Sequence, residues 1–141
     1  MITQGQCTIF KQNCLSALEN FAVGTPYTYK IALYTASATL NETTLTYAGT
    51  TGEVTGTGYT AGGKTLTISQ VPTSSGYTAY ISFSNVTWSP ASFTTRGALI
   101  YNSTTGAAVA VLNFGADKTP TTSFTITFPT ADAQDAIIRF S

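Results

Sequence analysis

Short runs of alternating apolar and polar residues recur along this chain, and they constrain its fold more than any other feature. Segments rich in glycine, proline, serine or asparagine separate them, at 72–76, 89–90, 102–106 and 117–120. Alternation with a period of two is typical of a strand with one buried face, and the separating residues are typical of turns. The sequence therefore predicts a mainly β fold, an antiparallel β-sandwich or barrel of about seven to eight strands. The runs are 27–35, 65–71, 77–87, 96–102, 107–114, 123–128 and 136–140.

The N-terminal part of the chain has a different period. Apolar residues recur there at spacings of three and four, as on one face of an amphipathic helix, and Gly24 followed by Pro26 is typical of a helix end. We predict one helix over about residues 6–22, packed on an edge or open end of the β structure. Its apolar stripe consists of Cys7, Phe10, Cys14, Leu18 and Phe21.

The segment 36–63 shows only a weak pattern and holds mostly Thr, Gly, Ser and Ala. A long excursion of this kind in a small domain is typically a functional or partner-contacting loop. Neither an internal repeat nor a linker divides the chain, and its 141 residues are enough to bury one sizeable core. We expect a single β domain over residues 1–141.

The charge composition excludes several classes of function. The chain has no histidine, six acidic and six basic side chains, and a formal net charge of zero. Ser-His-Asp and imidazole–metal sites need histidine, and nucleic-acid binding needs several Lys or Arg contacts to phosphate. The longest apolar run, 107–112, is far shorter than a membrane helix. We therefore expect neither nucleic acid nor a membrane as a partner.

The two cysteines, Cys7 and Cys14, are seven residues apart within the predicted helix. That spacing places them about 10.5 Å apart along the helix axis, whereas the Cα atoms of a disulfide lie within about 7 Å of each other. Two thiols without further Cys or His also make no zinc site. We predict buried structural thiols and no metal ligand.

Residues 58–65 match the phosphate-binding string G-x-x-x-x-G-K-[ST] at every fixed position. In a P-loop a helix follows the string, and its N-terminus faces the phosphates. Here residues 66–69 alternate as a strand does. We interpret the string as a glycine-rich turn between strands and expect no nucleotide cofactor.

The six carboxylates include no pair that the sequence brings together. Glycoside hydrolysis needs two of them facing each other across a sugar. We predict no catalytic residue; an enzyme would depend on Glu42, Glu53 or the pair Asp132 and Asp135. The acids lie on the polar side of the predicted helix (Glu19), in the loop (Glu42, Glu53), in a turn (Asp117) and before the last run (Asp132, Asp135).

Exposed aromatic side chains can also serve as platforms for sugars, because their faces supply contact area at low entropic cost. Arg96, directly before the apolar residues 97–100, can anchor an interfacial ion pair or lie at a solvated strand end. Three N-x-[ST] strings begin at Asn41, Asn85 and Asn102, and we interpret them as chance matches in a chain rich in Ser and Thr. The candidate sugar platforms are Tyr27, Tyr34, Tyr59, Tyr77 and Trp88.

Five segments in this order resemble a group of small virion structural proteins of tailed bacteriophages, and the likeness covers most of the chain from Phe10 onward. The resemblance implies a non-enzymatic particle component with no cofactor and no catalytic residues. The segments are YKIALY at 29–34, GTGYTAGG at 56–63, TRGALIYN at 95–102, AVAVLNFG at 108–115 and FTITFP at 124–129.

Within that group, a small β domain with uncharged, threonine-rich faces suits a head decoration or cement protein that binds the assembled major capsid protein. We expect it to be a homo-oligomer, made in the host cytoplasm and located in the virion. No secretory signal is visible at the N-terminus. The alternatives are a tail or head–tail structural protein and a carbohydrate-binding adhesin module.

Overall fold

The computed structural model describes all 141 residues. The fold is mainly β, with antiparallel sheets and one helix, as predicted, and its arrangement is sandwich-like. One helix, α1, covers Thr8–Leu15, and a 3₁₀ turn covers Tyr47–Gly49. The strands are β1 (Gly5–Gln6), β2 (Tyr29–Tyr34), β3 (Lys64–Thr65), β4 (Ile68–Ser75), β5 (Thr78–Phe83), β6 (Val86–Trp88), β7 (Thr95–Asn102), β8 (Ala108–Lys118), β9 (Phe124–Ile126) and β10 (Ile138–Phe140).

The largest sheet has five strands in the order β1-β8-β7-β2-β3. Its central strands carry the most apolar sequence of the chain, and nearly every residue of β2 and β7 is buried. The prediction that residues 27–35 bury one face is therefore wrong. The alternation there comes from Lys30 and the tyrosines, whereas both faces of the strand are covered, because elements pack on each side of a central strand.

Two smaller sheets complete the β structure, one of three strands in the order β10-β5-β4 and one of two strands, β6-β9. Aromatic rings join them to the large sheet. The ring centre of Phe83 in β5 lies 6.2 Å from that of Phe21 and 5.8 Å from that of Phe128. The Phe21 ring stacks on that of Tyr29 in β2, with 4.4 Å between the ring centres. One hydrophobic cluster of 31 buried residues runs through all three sheets.

The helix is shorter than the predicted 6–22. It ends at Leu15 because the N–H of Leu18 donates to the carbonyl of Asn13 at 2.8 Å and that of Ala17 donates to Cys14 at 3.2 Å. These two bonds form a Schellman motif, with Ala17 in the left-handed conformation at a φ of 57°. Glycine usually takes this position, so the sequence carries no signal for the stop. Leu18 and Phe21 of the predicted stripe lie beyond the helix.

The strand count of ten exceeds the predicted seven to eight for a local reason. The run 65–71 divides into β3 and β4, and the run 77–87 divides into β5 and β6, while β1 occupies residues predicted to begin the helix. Each division is a place where the chain leaves one sheet for another. Apolar alternation continues across such a crossing, so the sequence pattern does not reveal it.

Two of the predicted turns are wrong. The segment 72–76 is not a loop, because β4 continues to Ser75 and only Gly76 and Tyr77 form the turn to β5. Pro72 fits within β4 because β4 is an edge strand with a register shift between Gln70 and Thr73. Likewise β8 continues through Asp117 to Lys118.

The segment 36–63 contains no strand of the sheets, as predicted for a loop. It is nevertheless packed. Ala38, Leu40 and Val54 are fully buried, and isolated bridges join Glu53 to Tyr34 and Thr46 to Ala107. The loop thus forms a cover over the large sheet.

Candidate interaction surface

The phosphate-binding string occupies a turn that enters β3, and no helix follows it. The Lys64 ammonium donates to the carbonyl of Thr87 and lies 5.8 Å from the centre of the Trp88 ring. A Cβ atom at Gly63 would lie 1.8 Å from the carbonyl oxygen of Ile31, and one at Gly58 would lie 1.8 Å from that of Pro90. Close backbone packing therefore accounts for both glycines.

Glu53 organises the loop from its interior. Its Oε2 accepts a hydrogen bond from the Tyr47 hydroxyl at 2.7 Å, and its Oε1 accepts one from the Tyr59 hydroxyl and one from the Gly62 N–H, each at 2.7 Å. The Tyr59 hydroxyl also accepts the N–H of Leu33 in β2 at 2.9 Å. Charge-assisted bonds of this length are stronger than neutral ones. One carboxylate thus ties three parts of the loop to the large sheet.

Burial raises the pKa of the tyrosines around Glu53. For Tyr59 and Tyr47, burial is the largest cause and the hydrogen bond to the Glu53 carboxylate adds to it. Burial raises the pKa of Tyr34 to about 12; its hydroxyl contacts Thr50 of the loop at 2.6 Å. Burial, with the charge of Glu53, also raises the pKa of Tyr101. These hydroxyls act as hydrogen-bond donors that hold the loop.

Glu19 does not lie on the polar side of a helix, contrary to the prediction. It follows α1, and its Oε2 accepts hydrogen bonds from the Tyr29 hydroxyl at 2.7 Å and from the Asn102 amide at 3.1 Å. Its Oε1 is buried and has no hydrogen-bond partner. Glu19 is therefore a half-buried carboxylate that is only partly satisfied.

The other acids make local contacts. Asp132 accepts the backbone N–H groups of Gln134 and Asp135, Asp117 faces Arg96 at 3.5 Å, and Glu42 is exposed. Asp117 is thus in a strand rather than a turn, and Arg96 pairs within the chain. No hydrogen bond joins two carboxylates, and no group of three His, Cys, Asp or Glu side chains is placed to hold a metal ion.

The cysteines are free thiols, Cys7 buried and Cys14 half-buried. Burial raises the pKa of both to about 11. The asparagines of the three N-x-[ST] strings have local structural roles. Asn102 is buried and its side-chain oxygen accepts the Thr104 N–H, and the side chain of Asn85 accepts the Phe128 N–H.

The five aromatic residues proposed as sugar platforms differ in exposure. Tyr34 and Trp88 belong to the core, and Tyr27 and Tyr59 are half-buried. Tyr77 is fully exposed, at 100%. It lies at the turn between β4 and β5, so the structure leaves one of the five on an open surface.

Tyr77 lies in the turn of a hairpin that we call the arm. The arm consists of β4, β5 and the turn between them (68–83). Residues 71–77 are all exposed, on both faces of the hairpin, and the outer strand β4 has no neighbour on its second edge. Residues 65–95 contain no Asp, Glu, Lys or Arg. This charge-free stretch is the sequence signal that could have identified the arm.

Two apolar grooves adjoin the arm and share Phe21 as a wall. The first, the Glu19 groove, lies between the end of α1, the arm and β10, and the second, the Val23 groove, lies between residues 21–29 and the start of the arm. Val23 is 87% exposed and Phe140 is 42% exposed. We call the two grooves together the Phe21 face. Exposed apolar surface of this kind is typical of an interaction site.

No family model, curated protein or solved structure matches this chain. No helix of the structure has both the length and the apolar character needed to cross a membrane. Function must therefore be argued from the surface itself.

Proposed function

We propose that this chain is a non-enzymatic structural component of a tailed-phage virion, a capsid decoration protein that binds the assembled major capsid protein. The observation that carries the proposal is the outer end of the arm, residues 71–77, which is exposed on both faces, free of charge and adjacent to the apolar Phe21 face. The resemblance of the five sequence segments to virion structural proteins supplies the kind of partner.

The outer end of the arm has little support from the rest of the fold, since residues 71–77 are all exposed. There β4 and the turn extend beyond Ala79, the last residue of β5 that pairs with β10, and a two-stranded hairpin with no covered face is marginally stable in water. Exposed edge strands in monomers are commonly protected by charged residues, and β4 has none, although Pro72 and the register shifts interrupt its edge. Contact with another protein would cover Val71 and Tyr77 and satisfy the open edge.

The distribution of polar groups also supports binding over catalysis. Glu53 has its two oxygens occupied by three donors, and Asp117 pairs with Arg96. These groups hold the fold together. The exposed residues 71–77 of the arm carry no charge, and such a surface suits a broad contact with a neighbouring subunit.

The experiment locates the protein on particles. Virions of the phage that carries this gene are purified, and gold-labelled antibodies against the chain are imaged by electron microscopy. We expect label on the heads. Label confined to the tail would replace the decoration role by the tail alternative, and particles without the chain would overturn the proposal.

A matched pair of variants tests the arm. Tyr77→Ser removes the fully exposed side chain at the tip, and Leu45→Ser removes an exposed apolar side chain of the loop, which is 60% exposed. On capsids that lack the chain, we expect Tyr77→Ser to weaken binding at least tenfold, as for an aromatic residue that dominates an interface, and Leu45→Ser to bind like the wild type. Equal binding by all three proteins would show that the arm is not the contact.

The adhesin alternative retains one specific observation, the exposure of Tyr77. It predicts saturable glycan binding that Tyr77→Ser abolishes. A glycan array probed with the wild type and with this variant separates the two functions, because a decoration protein binds capsids and no glycan.

A further inference from the structure

The Glu19 groove has a composition that restricts what can fill it. It encloses about 150 Å³, and seven of its ten lining residues are hydrophobic. The arm contributes Pro72 and Tyr80 to its lining, β10 contributes Phe140, and Phe21 lines it as well. Glu19 is the one charged residue that lines it. An occupant therefore meets apolar walls and a single carboxylate.

The Glu19 carboxylate has unused bonding capacity. Both of its hydrogen bonds, from Tyr29 and Asn102, end on Oε2, and Oε1 is buried without a donor. The single ion pair of the chain joins Arg96 to Asp117, so no cation of this protein neutralises Glu19. A buried, unpaired carboxylate oxygen is costly, and native structures usually satisfy such a group.

We infer that the Glu19 groove receives a lysine or arginine side chain of the protein that the arm binds; this inference rests on the proposed function. Such side chains have a long apolar stem that packs along an apolar wall and a cationic head that donates several hydrogen bonds. Glu19 lines the groove, so a cationic head seated there lies beside a carboxylate that has no cation of its own. The apolar stem packs against the walls of the groove, and the cationic head donates hydrogen bonds to the carboxylate.

The lining of the groove includes a thiol, that of Cys14, to which a probe can be attached. Cys14 is half-buried and lines the groove with Glu19, whereas Cys7 is fully buried. A small disulfide can therefore capture Cys14 and hold a test group inside the groove. In that exchange the Cys14 thiolate attacks one sulfur of the probe disulfide, and the other half of the probe leaves as a thiolate and takes up a proton.

The probes are cystamine, which places an ammonium group two carbons from the captured sulfur, and bis(2-hydroxyethyl) disulfide, which places a neutral hydroxyl there. Each is equilibrated with the protein at a fixed concentration of reductant, and intact mass spectrometry gives the captured fraction. Glu19→Gln is the matched variant, because it keeps the shape of the side chain and removes its charge. A Cys7→Ser variant confirms that capture is at Cys14.

The measured quantity is the preference for cystamine over the neutral probe in the wild type, divided by the same preference in Glu19→Gln. This ratio cancels the different intrinsic reactivities of the two probes. We expect a ratio of about three to ten, the effect of one partly buried charged contact. A ratio of one would overturn the inference.

A second measurement does not depend on the variant folding. In the wild type, the preference for cystamine over the neutral probe should decrease in 1 M salt, since salt screens a partly exposed ion pair. A preference that salt leaves unchanged would count against a contact with Glu19.

Particle binding separates the inference from the function on which it rests. If the chain decorates capsids and Glu19→Gln weakens that binding, both stand. Decoration that Glu19→Gln leaves unchanged overturns the inference alone. Absence of the chain from particles, with the cystamine preference intact, overturns the virion role and leaves the cation-binding groove in place.

Discussion

The loop 36–63 and the arm 68–83 are alike in sequence and opposite in structure. Both consist mostly of uncharged residues, with Glu42 and Glu53 in the loop and no charged residue in the arm, and both separate strands of the large sheet. The loop lacks strands yet is held in place by a carboxylate with three donors, whereas the arm has regular strands yet is exposed on both faces at residues 71–77. Regular secondary structure is therefore a poor guide to which part of this molecule is fixed and which part is free to bind.

The difference follows from where the polar groups of the backbone and side chains find partners. Buried polar groups must be satisfied, and in the loop Glu53 collects donors that no strand would pair. In the arm, β5 pairs with both β4 and β10, whereas β4 leaves its outer edge unpaired. The loop has its polar groups satisfied within the chain, while the arm depends on another protein for its open edge.

The largest expected effect comes from one methyl group placed at the end of the loop. Gly63→Ala puts a Cβ atom 1.8 Å from the Ile31 carbonyl oxygen at a residue with a φ of 74°. Because the obstacle is backbone, we expect the free energy of unfolding to fall by about 4 kcal/mol or more. Urea unfolding measures it.

The matched control for that change lies at the tip of the arm. Gly76 also has a positive φ, of 58°, but a Cβ atom there would meet nothing within 4 Å. Gly76→Ala should cost only the backbone strain, about 1 to 2 kcal/mol. Equal losses at the two glycines would contradict the distinction between a packed loop and an open arm.

A smaller effect is expected from the carboxylate that holds the loop. Glu53→Gln weakens three charge-assisted hydrogen bonds and should lower the free energy of unfolding by about 2 to 3 kcal/mol. Glu42→Gln, an exposed change in the same loop, should stay within about 0.5 kcal/mol of the wild type.

Hydrogen exchange localises that effect. The Gly62 amide donates to Glu53 at 2.7 Å and should exchange faster in Glu53→Gln, while the amides between Thr73 and Thr78 should be unaffected. Faster exchange throughout the arm would mean that Glu53 supports the whole molecule rather than the loop.

The smallest effect is a dependence on alkaline pH. The folded state raises the pKa of Tyr34 to about 12 from the usual value near 10. Above pH 10 the unfolded chain loses this proton and the folded chain keeps it. The Tyr34 pKa shift therefore contributes fully to the free energy of unfolding below pH 10, and this contribution is lost as the pH rises toward 12. The slope for one proton is about 1.4 kcal/mol per pH unit.

Urea unfolding at pH 9, 10 and 11 tests this contribution. The wild type should lose stability from pH 10 to 11, and Tyr34→Phe should lose less, by up to the slope for one proton. The variant should be less stable at pH 9, because the hydrogen bond between the Tyr34 and Thr50 hydroxyls is lost. Identical slopes would show that folding does not raise the pKa of Tyr34.

The candidate site was less predictable than the fold. Alternation identified β2, β5, β7 and the antiparallel class, because strands with apolar cores leave a clear pattern. The arm was obscured because Pro72, Ser74 and Gly76 are typical of turns, and only pairing with β5 makes 72–75 a strand. The role of Glu53 was equally hidden, since its donors come from residues 6 to 9 positions away whose side chains meet only after the loop folds.

The sequence by itself determined the β class, the long irregular segment 36–63 and the absence of histidine chemistry, because periodicity and composition are local properties of the chain. The tertiary structure decided the rest: where the helix stops, which strands belong to which sheet, and which of two segments with few charges is covered. The reason is physical. Burial and hydrogen-bond satisfaction depend on residues distant in sequence, such as Glu19 with Asn102 and Gly63 with Ile31, and these pairs have no signature until the chain brings them together.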